Sequence, residues 1–108
     1  MQRALLTLLL LTACKPRVQS GVIDVAVTEK GFEPDRVEVA PGKPVTLRFT
    51  RKVAETCADA VDVQGDPVRH MLPVNAPIEV RVTPPASGKL AFACPMGMVR
   101  GAIVVVGQ

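Results

Sequence analysis

The chain has one histidine, His70, and neither tryptophan nor tyrosine in 108 residues. Zinc asks for four ligands, usually from His or several Cys, and that count is missing. No Ser-His-Asp or Cys-His arrangement can be defended around His70, no glycine loop of the phosphate-cradling kind is present, and no carboxylate pair reads as an acid/base couple. An enzyme is therefore not expected. Charge of one sign is also scarce: 13 Lys and Arg stand against 10 Asp and Glu, net +3, with no basic run longer than Arg51-Lys52. A polyanion has no footprint to meet, so nucleic-acid binding is not expected. No segment shows a convincing helical stripe, although "VAETCADAVDV" has room for one turn of helix.

One long apolar run does exist. "MQRALLTLLLLTACK" has Arg3 near its start and an apolar or small run from Ala4 to Ala13. A membrane-spanning helix needs about 20 apolar residues, so this stretch is too short to span and has the layout of a secretory signal. Leu11-Thr12-Ala13-Cys14 resembles the lipobox of bacterial lipoproteins. That resemblance implies a signal over residues 1–13, a diacylglycerol-modified Cys14 as the mature N-terminus, and an extracytoplasmic, membrane-anchored protein on the periplasmic or cell-surface side. Diacylglycerol supplies more than one chain, which a stable anchor requires. "KPRVQSG" then reads as a tether, so that residues 14–21 join the lipid to a domain over 22–108. The remaining length suits one domain and is too short for two.

From Val22 onward the pattern is that of strands. "VIDVAV", "RVEVA", "VTLRF" and "IEVRV" alternate apolar and polar residues, placing Val37 with Val39, Val45 with Leu47 and Phe49, and Ile78 with Val80 and Val82 on single faces. Ile103 to Val106 are four β-branched residues in succession, as expected of a strand covered on both faces. "APGKP", "QGDP" and "TPPASGK" punctuate these runs. Seven or so short strands in this length predict an all-β sandwich.

What the chain has in excess is sulfur in one place. "CPMGM" sets Cys94, Met96 and Met98 at every second position, and Cys57 lies far upstream in "ETCADAV". A disulfide between Cys57 and Cys94 is one reading, since the signal leads to a compartment where cystines persist. Burial of both as small hydrophobes, with the methionines filling the core, is another. The third is a sulfur-only metal site, with Gly97 bending the backbone, Pro95 holding Cys94 extended, and three sulfurs turned toward a common point. Thiolate with thioether selects Cu(I) among the common metals.

"GFEPDRVEVAPGKPVTLRF", "ETCADAV" and "LAFACPMGMVRGAIVV" together resemble the cupredoxin family, in particular the Cu(I)-binding domains of membrane-anchored copper-resistance proteins and copper-exporting ATPases. The resemblance runs from Val22 to Val106 and implies a Greek-key β-sandwich. Cys57 falls where the first copper-binding histidine of blue-copper members would be, Cys94 keeps the cysteine place, and Met98 is a candidate for the methionine. A blue site needs two imidazoles, and this chain has one. The resemblance therefore implies a variant in which Cys57 and Cys94 bridge one or two Cu(I) ions while Met96 and Met98 bind more weakly. It also implies a monomeric copper chaperone or buffer whose partner is a copper transporter or a cuproprotein acceptor. The alternatives are a mononuclear electron-transfer cupredoxin and a metal-free interaction module stapled by a disulfide. His70 and Met71, in the connecting segment "VRHMLP", are read as rim and apolar packing.

Overall fold

The computed structural model describes residues 18–107. The expected signal, the lipidated Cys14 and most of the tether lie outside the described residues. Among the described residues nine strands form two sheets. The first has the order β2-β1-β4-β7, from β1 (Val22–Thr28), β2 (Gly31–Glu33), β4 (Val45–Arg51) and β7 (Ile78–Val82). The second runs β3-β9-β8-β5-β6, from β3 (Arg36–Val39), β5 (Ala60–Val63), β6 (His70–Met71), β8 (Lys89–Ala93) and β9 (Arg100–Val105). Neighbours are antiparallel except β1 with β4 and β3 with β9, which are parallel, so both sheets are mixed. The chain is an all-β sandwich, with no helix among the described residues.

The alternating faces do what period two requires. Ile23, Val25 and Val27 of β1, Val45, Leu47 and Phe49 of β4, and Val80 and Val82 of β7 are buried between the sheets. Val37, Val39, Val61, Val63 and Ile103 meet them from the other side. At the centre Phe32, Phe49 and Phe92 pack edge-to-face, with ring centroids 5.0 to 5.8 Å apart. This arrangement suits the ring quadrupoles, and the three rings are all the aromatics the chain has. Phe92 stands opposite Gly101 on β9. A Cβ at Gly101 would run into the Phe92 ring, so a side chain at this inward position must displace the ring or the strand.

Several expectations change. Two strands, β2 and β6, are too short to show a period, which is why a count by alternation falls below nine. The last strand begins at Arg100, and only Ile103 of its β-branched run is buried. Val104 is half-buried, because no layer packs on the outer face of this sheet, and Val105, on the inner face with Ile103, is half-buried at the strand's end. His70 and Met71 are a short edge strand paired with β5, and Met71 is 61% exposed and not packed. The His70 Nε2 pairs instead with an Asp66 carboxylate oxygen at 2.8 Å.

The helical turn expected in "VAETCADAVDV" is absent. In a helix the Val53 and Ala54 carbonyls would accept from the amides of residues 57 and 58. Here the Arg51 guanidinium takes both carbonyls, and the Ala58 amide donates to Thr56 Oγ1 at 3.0 Å. Residues 19–21, at the end of the expected tether, are tied to the sandwich. The Gln19 amide donates to Glu38 and the Thr46 amide to Gly21.

Candidate metal centre

Two loops meet at one end of the sandwich. The first, residues 52–59, leaves β4 and carries Cys57 into β5; the second, residues 94–99, joins β8 to β9 and carries Cys94, Met96 and Met98. The second loop is shaped locally. The Gly97 amide donates to the Cys94 carbonyl at 2.8 Å, closing a turn in which Pro95 takes the second position that its fixed φ favours. Gly97 has φ +72°, which a residue with a side chain rarely adopts. The Cys94 amide donates to the Val99 carbonyl at 2.9 Å, and the Arg100 Nε donates to the Gly97 carbonyl at 2.6 Å.

Cys94 is 2% exposed and faces inward, whereas Cys57 is exposed. Their sulfurs nevertheless lie 3.9 Å apart, as free thiols and not as a disulfide. The Val99 amide donates to Cys94 Sγ at 3.3 Å. Burial pushes the Cys94 thiol up, but the Val99, Met98 and Met96 amides and the Cys57 thiol outweigh it and hold Cys94 below the ordinary cysteine value. Cys57 moves the other way. Desolvation at its sulfur, then its hydrogen bond to Cys94 and that neighbour's charge, push it up.

The structure thus brings together the cysteines that the sequence separates. Met96 and Met98 are 75% and 76% exposed, so their thioethers stand in solvent while Cys94 points into the domain. A groove of about 330 Å³ bounded by Lys30, Asp35, Met98 and Arg100 opens beside the outer methionine.

Among the described residues no cluster of three or more His, Cys, Asp and Glu could hold a metal. A metal at this end would draw on the two thiols and the neighbouring thioethers. With metal–thiolate bonds of about 2.3 Å, sulfurs 3.9 Å apart can bind one ion at roughly 115°, an angle that suits trigonal coordination. Soft donors in such an arrangement favour Cu(I). Two residues with no obvious sequence signal also shape the site: Val99, through its backbone amide, and Arg51, which reads in sequence as one of many scattered cations.

The profile of the family described as "Cupredoxin-like domain" matches residues 3–105. The chain belongs to this cupredoxin-like family. No curated protein sequence matches it significantly. Among solved structures it is similar to the metal-binding domain of the Cu(I)-exporting P-type ATPase CopA from Streptococcus pneumoniae D39, determined with Cu(I). Identity is 25%, TM-score 0.72, over 84% of this chain and 92% of that one. A copper-binding protein solved in its apo form by NMR is 28% identical, with TM-score 0.71 over 83% and 93% of the two chains. Auracyanin A, a blue copper protein from Chloroflexus aurantiacus, is 20% identical with TM-score 0.64, covering 82% of this chain and all of that one, and shares the fold. Copper is named for all three of these proteins.

Proposed function

We infer that the protein is a non-catalytic Cu(I) carrier that holds copper between Cys57 and Cys94. The observation that carries this reading is the meeting of two free thiols, 3.9 Å apart, on two loops of a cupredoxin-like sandwich. A thiolate has enough lone pairs to bridge two ions, so the pair has the capacity for a binuclear load. The more weakly binding thioethers of Met96 and Met98, exposed at the rim, are the first contacts an incoming acceptor would reach. Copper then leaves by ligand exchange: an acceptor thiol or thioether replaces a methionine, then each cysteine in turn. This gradient suits a chaperone or buffer that serves a copper transporter or a cuproprotein. The lipobox-like "LTAC" supports an extracytoplasmic, lipid-anchored setting. A blue electron-transfer site has less support, because the one histidine is engaged with Asp66.

The test is an anaerobic titration of the reduced, detergent-solubilised full chain with Cu(I) against a coloured chelator of known affinity. The Cys57→Ser and Met96→Leu/Met98→Leu variants are run in parallel. Two ions are expected, with tight binding lost in the cysteine variant and only the weaker ion lost in the methionine variant. A wild-type chain that takes no copper from the chelator would sink the reading.

A further inference from the structure

The structure assigns Arg51, the last residue of β4, as a positioning residue for Cys57; this rests on the copper reading above. The loop that carries Cys57 has no ladder of its own. Between β4 and β5 its backbone runs in bends, and Cys57 itself is exposed, although Ala58 after it is buried in the core. The stretch before Cys57 is held mainly by one side chain.

The Arg51 guanidinium donates through Nε to the Val53 carbonyl at 2.9 Å and through one terminal nitrogen to the Ala54 carbonyl at 2.5 Å. Its other terminal nitrogen donates to the Leu72 carbonyl at 2.9 Å. Three carbonyls from two separate segments thus meet one planar fork, which suits a guanidinium with five donors in fixed directions. Leu72 closes the circuit. Its amide donates to the Asp59 carbonyl at 2.8 Å, on the far side of Cys57, and its side chain is buried in the core.

Cys57 is therefore suspended between Ala54, held by Arg51, and Asp59, held by Leu72, which Arg51 also holds. The Asn75 amide donates to the Arg51 carbonyl at 2.8 Å, so the main chain of the same residue anchors the segment after β6. Removing the guanidinium frees the Ala54 side of the suspension and takes one bond from Leu72 on the other. Cys94 keeps its place through its own turn, so the separation of the two sulfurs becomes variable. An ion bound by both thiolates then has to order the loop, and that cost falls on affinity.

The experiment compares Arg51→Met and Arg51→Lys with Arg48→Met, which removes the neighbouring β4 arginine that pairs with Asp24 outside the site. Cu(I) affinity is measured by chelator competition in the wild-type and Cys57→Ser backgrounds. Exchange of the Leu72 amide is followed without copper. Arg51→Met should weaken Cu(I) binding about tenfold in the wild-type background and not at all with Cys57→Ser. Leu72 exchange should speed up about tenfold while the amides of β1 and β8 stay protected. Arg51→Lys, whose ammonium reaches some of these carbonyls without the fork, should recover part of both effects. An equal affinity loss in both backgrounds would overturn the assignment, because Arg51 would then not act through Cys57. Unchanged affinity in Arg51→Met would overturn it as well. A wild-type chain that binds no Cu(I) would end the assignment together with the copper reading. Faster Leu72 exchange in that case would show that Arg51 pins the loop without serving a metal.

Discussion

The two cysteine loops reach one place by different physics. The loop of Cys94 joins neighbouring antiparallel strands, and short-range bonds across Cys94, Gly97 and Val99 shape it. Beneath it lies the aromatic centre of the core, where Phe92 covers Gly101. The loop of Cys57 connects different sheets and depends on Arg51, which precedes it at the end of β4, and on Leu72, which comes from another segment. One thiol is thus buried and held low in pKa by backbone amides, and the other is exposed and raised. A metal site can be half preformed by local geometry and half assembled by tertiary contacts.

The largest expected effect breaks the Cys94 side. In Gly101→Ala the new methyl meets the Phe92 ring and, at 2.9 Å, the Asp35 carbonyl oxygen, so either the ring or the strand must move. Overpacking of this kind costs about 2 kcal/mol and lowers Tm by on the order of 10 °C, readable by thermal unfolding. Cu(I) affinity should fall with it, since Cys94 directly follows β8. A Gly101→Ala protein that melts and binds like wild type would show that the core does not support that loop.

A second effect separates the two thiols by pH. Cu(I) binds thiolates, so any proton still on a cysteine must leave when the ion enters. Above the raised Cys57 pKa, affinity for an ion shared by both thiols should not depend on pH. Between the Cys57 and Cys94 values it should fall about tenfold per unit as pH drops, because one proton is displaced. Below the lowered Cys94 value two protons are displaced and the fall steepens. Chelator competition across pH reads these slopes. A single steep break would mean that the two thiols titrate alike and that the contrast between the loops does not reach their chemistry. Apo stability follows the same signs. The Cys94 contribution is present above the unfolded cysteine value and lost as pH falls through its folded value; the Cys57 contribution is present below the unfolded value and lost as pH rises through its own.

The smallest effect is a control on β4. Arg48 and Asp24, paired at 2.6 Å across β4 and β1, are exposed, and such pairs contribute little. Arg48→Met should leave Tm within about 2 °C of wild type and Cu(I) affinity unchanged, in contrast to Arg51→Met. A copper defect in Arg48→Met would mean that β4 acts through its charge and not through the bonds of Arg51.

Much of the fold was legible in sequence. Period-two runs place Val25, Leu47, Phe49 and Val80 inside because a pleated strand exposes alternate residues to opposite faces. The short strands β2 and β6 carry no such record, and Met71, read as apolar packing, is instead exposed at an edge. For the candidate site, residue types sufficed to exclude two imidazoles and to select soft donors. They also marked "CPMGM" as a sulfur cluster beside a proline and a glycine. Sequence could not say that Cys94 would turn inward while Met96 and Met98 stay in solvent, because burial depends on what packs above a residue. Nor could it say that Cys57 would lie 3.9 Å from Cys94, or that Arg51 would hold its loop. Those outcomes were decided when two sheets closed on one core and brought distant carbonyls, amides and thiols within reach, a geometry that no local spacing encodes.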